Sequence, residues 1–126
     1  MSPATEQAIR SYVLDLGKAD SILKTMKQLS EAMLKDPDFP KKIGPRMKLP
    51  LEQQWKAMEA DAVSGPILKA SGMSAEQYSC GLLALRAASG LDTGAGVARL
   101  ANPANAAFLK ANPSIVERLK AIDMGK

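Results

Sequence analysis

Histidine is absent from the 126 residues, and cysteine occurs once. The first absence removes the commonest general base and the commonest zinc, copper and iron ligand. The second excludes an internal disulfide and a Cys-x-x-Cys metal site, and leaves the redox compartment open. Leu82, Leu83 and Leu85 follow the lone Cys80 closely, so it reads as a buried thiol acting as a small hydrophobe. Aromatics are only 4% of the chain, β-branched residues are sparse and no stretch alternates with period two for long. No apolar run approaches the ~20 residues that span a bilayer. The opening MSPATEQAIR has no hydrophobic core of a signal peptide.

What is plentiful is Ala, Leu, Met, Lys and Glu, most of which favour helix. The expected fold is all-α: one domain over 1–126, a compact bundle of five or six helices around a buried central helix at about 75–89. A chain of this length buries roughly two-thirds of its unfolded surface, an adequate core without staples.

The helices announce themselves by their caps. Ser2-Pro3 opens a short first helix, and Asp15 offers the next N-cap. Leu16, Ala19, Ile22, Leu23, Met26, Leu29 and Met33 then recur three or four apart, with lysines between them. Asp36-Pro37 ends that helix. Residues 36–50 hold Pro37, Pro40, Pro45, Pro50 and Gly44, which reads as a long stiff surface connection anchored by Phe39, Ile43, Met47 and Leu49. From Pro50, the spacing of Leu51, Trp55, Met58 and Ala62 makes an apolar stripe. Ser64-Gly65-Pro66 starts a short helix stopped by Gly72. Ser74 with Gln77 is a capping box, and Met73 can staple to Tyr78. Residues 78–88, YSCGLLALRAA, carry one charge, Arg86, so this helix is buried on most sides. Gly81 costs ~1 kcal/mol relative to Ala inside a helix, and close approach of a neighbour is the expected compensation.

The remaining punctuation is less informative. G-A-G at 94–96 lacks the strand and the Lys or Ser/Thr of a phosphate loop and reads as a flexible turn. Asn102-Pro103 and Asn112-Pro113 both read as helix starts.

Two stretches, M-S-A-E-Q-Y-S-C-G-L-L-A-L and N-P-A-N-A-A-F-L-K-A-N, together resemble a group of small uncharacterised bacterial proteins. Those share a G-(L/M)-(S/T)-x-x-(E/Q)-Y helix start, an apolar helix and a closing N-x-x-F-(V/L) segment. The matching residues here are Gly72, Met73, Ser74, Gln77, Tyr78, Asn105, Phe108 and Leu109. The resemblance implies an all-helical, exported protein and transfers no activity to any residue. Periplasmic or secreted localisation is expected if a signal peptide has been removed, and cytoplasmic otherwise.

Function is therefore argued from chemistry. The expected role is a non-enzymatic binding or interaction module that holds an apolar small molecule or a protein partner. Met26, Met33, Met47, Met58 and Met73 suit adaptable apolar contacts. The alternatives are a weak nucleic-acid-binding protein and a small enzyme. The enzyme would need carboxylate or lysine chemistry, but neither Asp15 with Asp20 nor Glu59 with Asp61 has the spacing that shares a helix face. The net charge is +4, and Lys41, Lys42, Arg46 and Lys48 cluster without stacking aromatics. A solvated basic loop explains that cluster better than a nucleic-acid site. No calcium loop and no Met-x-Met run occurs, so no metal or cofactor is expected. If a ligand site exists, Trp55, Tyr78, Arg86 and Asn105 are the amphipathic and polar residues to locate first.

Overall fold

The structure, a computed structural model, describes residues 2–91 and 96–125. The described residues form eight α-helices and no strand: α1 (Pro3–Ser11), α2 (Leu16–Lys35), α3 (Phe39–Met47), α4 (Leu51–Ala60), α5 (Ser64–Ser71), α6 (Ala75–Ser89), α7 (Pro103–Ala111) and α8 (Pro113–Asp123). A 3-10 turn, Ala98–Leu100, precedes α7. The all-α class holds. The count exceeds five or six, and the helix that no sequence signal marked is the one within 36–50.

Four caps act as their sequences indicate. Ser2 Oγ accepts from the Thr5 amide at 3.2 Å, and Asp15 Oδ1 from the Lys18 amide at 2.7 Å. At α6 the Ser74 hydroxyl accepts from Gln77 N while Gln77 Oε1 accepts from Ser74 N, the reciprocal capping box. Asn102 caps α7 by accepting from Ala104 N at 2.8 Å. Asn112 differs. It sits before Pro113, but its amide donates back to the Phe108 carbonyl at 2.9 Å. It therefore satisfies a free carbonyl at the end of α7 rather than an amide at the start of α8.

α6 is the central helix. It contacts α1, α2, α4, α7 and the 3-10 turn. Ala75, Tyr78, Cys80, Gly81, Ala84, Leu85, Arg86 and Ala87 are buried on it. Around it α2 supplies Ala19, Ile22, Leu23, Met26 and Leu29. Ile9, Leu68, Val97, Leu109, Ile115 and Leu119 close the core from other elements. Each fully buried Leu or Ile contributes about 1.5–3 kcal/mol of transfer free energy. Gly81 is where α6 is approached most closely. A Cβ there would lie 2.6 Å from Ile22 Cδ1 and 2.9 Å from the Tyr12 ring.

Several sequence expectations are revised. Leu16, read as the first residue of the α2 stripe, is exposed, and the buried stripe begins at Ala19. Met47 and Leu49 are exposed too, and α3 buries no residue; of the four expected anchors only Phe39 and Ile43 are half-buried. Ala62 lies beyond α4 and is exposed. Within the glycine-rich stretch Val97 and Leu100 are core residues, since the 3-10 turn lays them against α6 and α1. Positions 94 and 95 of the G-A-G motif lie outside the described residues. Among the described residues no helix is long and apolar enough to cross a membrane.

Candidate binding groove

The turn between α4 and α5 is organised by Asp61. Its Oδ1 accepts from the amides of Val63 at 2.7 Å and Ser64 at 3.3 Å, which caps α5. Ser64 was the expected cap. It is instead buried, and its hydroxyl donates to the Met58 carbonyl at 2.6 Å. The other Asp61 oxygen pairs with Arg46 and, at 3.3 Å, with Lys42, both from α3. Lys42 also bonds Asp36 at 2.9 Å. The Arg46 guanidinium and the two amides hold the Asp61 carboxyl well below the usual carboxylate range.

Two residues before that hub, Glu59 reaches from α4 to the start of α6. Its Oε1 accepts from the Ala75 amide at 2.9 Å. A carboxylate at this position also matches the positive end of the helix dipole. Gly65 passes under α4 so closely that a Cβ would lie 2.5 Å from the Glu59 carbonyl oxygen. The tight α4–α5 turn and the Glu59 tether hold α4, α5 and the start of α6 apart by a fixed gap.

That gap is a groove of about 650 Å³ lined by Glu59, Gly65, Pro66, Leu68, Lys69, Met73 and Ser74. Its walls are mostly apolar, with one acid and one base at the rim. A recess of about 220 Å³ lined by Trp55, Lys56, Glu52, Glu76, Glu59 and Ser74 adjoins it, since Glu59 and Ser74 line both. Met73 separates the groove from a second one of about 420 Å³, against Tyr12, Gly17, Lys18, Ser21, Gly72 and Gln77.

Of the four residues singled out in the sequence, Trp55 lines the recess and the other three line none of these grooves. Trp55 is buried, and its indole N–H has no hydrogen-bond partner among the described residues. Tyr78 is buried on α6, and burial pushes its hydroxyl well above the usual phenol range. Arg86 forms a fork with Asp123 at 3.0 and 2.8 Å and donates to the Leu91 carbonyl at 3.0 Å. It ties the end of α6 to the end of α8. Asn105 is 1% exposed; it accepts from Leu14 N at 2.9 Å and donates to Tyr12 O at 2.7 Å. It thus satisfies the backbone of the 12–15 link. No family model, curated protein or solved structure matches the chain. Its chemistry must therefore be read from the residues themselves.

The residues considered for catalysis are engaged elsewhere. Asp15 is a cap, Asp20 pairs with Lys24 and Arg118, and Glu59 and Asp61 act as described. Cys80 is buried among apolar neighbours, which pushes its thiol up to about 11. Among the described residues no three Cys, Asp or Glu side chains gather as metal ligands do. The groove residues Gly65, Pro66 and Lys69 carried no ligand-binding signature in the sequence. The nearest available signal was Asp61 followed by Ser64, an Asx-turn pattern that marks the α4–α5 turn.

Proposed function

We propose that the protein is a non-enzymatic helical binding module that takes up an apolar ligand in the α4–α5–α6 groove. The observation that carries this reading is the groove itself, about 650 Å³ between rigidly tethered elements. Its volume is within the range of small-molecule sites, and its lining of Pro66, Leu68 and Met73 is apolar. Met73 supplies a deformable wall. An aliphatic small molecule, or an apolar side chain of a protein partner, fits this lining.

Two measurements test the proposal together. Native mass spectrometry of protein purified gently from its own host should show extra mass that is lost on denaturation. Trp55, the only tryptophan, adjoins the groove and should report saturable binding of a medium-chain alcohol or alkanoate by its fluorescence. Met73→Phe, which fills the groove, should weaken that titration while leaving the thermal melt intact. A clean apo mass together with a flat fluorescence titration would overturn the reading.

A further inference from the structure

The second feature of the molecule lies away from the groove, on α3 and its flanks. Leu34, Met47 and Leu49 are three of the six exposed large hydrophobic residues, and all fall within 34–49. Leu34 and Met47 are 85% and 67% exposed. The same stretch holds Lys35, Lys41 and Lys48, none of which has a carboxylate partner among the described residues. Of the nearby acids, exposed Asp38 pairs with no cation among the described residues, so it offsets one of the three lysines, and the other two acids are committed. Asp36 is bonded to Lys42 and to the Asp38 amide, and Asp61 to Arg46 and Lys42.

The faces of α3 separate cleanly. Successive residues turn by about 100° in a helix. Phe39, Lys42, Ile43 and Arg46, the partly buried residues, therefore span one arc toward α4. Met47, Pro40, Gly44, Lys48, Lys41 and Pro45 fill the opposite arc and are exposed. α3 buries no residue, and no α3 side chain lines any of the three cavities described above. The outward face is thus convex, apolar at its edges and basic between.

We propose that the 34–49 surface docks on an anionic lipid bilayer. Unpaired lysines beside exposed apolar side chains match negatively charged headgroups over an acyl boundary. A convex face suits a deformable lipid surface. A peptide partner would need a pocket for its anchoring side chains, and no α3 residue lines the grooves described above. The two inward cations, Lys42 and Arg46, hold the helix to Asp61 and leave the outward lysines free to face the lipid.

The test is vesicle flotation with the full chain, using phosphatidylcholine alone and phosphatidylcholine with a third phosphatidylglycerol. Flotation with the mixed vesicles only, weakened by 0.5 M salt, is the expected result. Each lysine near such a surface is worth about fivefold in affinity, so K41E/K48E should reduce binding by roughly 25-fold or more. M47S should reduce it severalfold. Both variants alter exposed side chains and should keep the parent melting curve, which controls for folding. No flotation with mixed vesicles, or flotation unchanged in K41E/K48E, would overturn the proposal. So would binding to heparin or single-stranded DNA with none to vesicles, which would assign the face to a soluble polyanion.

Discussion

At the scale of single residues, two side-chain environments set the geometry. Gly81 lets α2 and the Tyr12 ring close on α6, with Ile22 Cδ1 2.6 Å from where a Cβ would stand. Gly81→Leu should abolish the cooperative thermal melt. Gly81→Ala gains about 1 kcal/mol in helix propensity but overpacks by about 1–3 kcal/mol. Adding Ile22→Val removes the nearest methyl, so the double variant should recover part of that loss in a denaturation cycle. Strictly additive single-mutant effects would show that the two do not share the space. Asn105→Leu keeps the branched shape but strips partners from the Leu14 amide and the Tyr12 carbonyl. A loss of about 2–5 kcal/mol in urea unfolding is expected, because both backbone groups stay dry. These roles were only half legible beforehand. A glycine inside an apolar helix signals close approach, but which atoms approach comes from elements far along the chain.

At the scale of elements, α3 is the instructive case. Prolines and a glycine in 36–50 argued for a stiff connection, yet Pro40 and Pro45 occupy Phe39–Met47 as helix. Pro40 falls in the first turn, where no amide partner is lost. Pro45 is tolerated within a helix that carries no fully buried residue. What holds α3 is electrostatic, through Asp61. Asp61→Asn removes the pairing charge and weakens the α5 cap, and should cost about 2 kcal/mol or more. Its pH dependence has a definite sign. The folded carboxyl is depressed, so its stabilisation is full above the ordinary carboxylate value of about 4 and is lost as pH falls through the folded value. The wild type should therefore lose stability in acid more steeply than Asp61→Asn, when melts are compared from pH 6 down to pH 2. Parallel curves would remove Asp61 from this role. Position 61 reads as the wet end of α4 in sequence, and its partners lie on a neighbouring element that the apolar pattern did not mark as a helix.

At the scale of the whole molecule, α8 and α3 make opposite contributions. α8 carries Ile115 and Leu119 into the core and contacts α2 and α7, while its end is fixed to α6 by Arg86 and Asp123. Removing residues 113–126 should leave a chain with helical circular dichroism but no cooperative melt. Replacing 39–47 by a Gly/Ser linker of the same length should preserve cooperativity with a lower midpoint, because no buried residue is lost. If both variants melted alike, burial would not be what orders the fold.

The sequence by itself determined the class, four of the caps and the central helix. Those follow from local rules: propensity, three-to-four spacing and polar side chains that satisfy nearby amides. Ser74, Gln77, Asp15 and Asn102 act within a few residues of themselves and so could be read in place. The tertiary structure decided the rest. It buried Val97 and Leu100, gave Asn105 and Arg86 distant internal partners, and formed the groove from Gly65, Leu68 and Met73. Each of those outcomes depends on residues brought together from different elements, and no local pattern in a chain specifies which of its surfaces will meet.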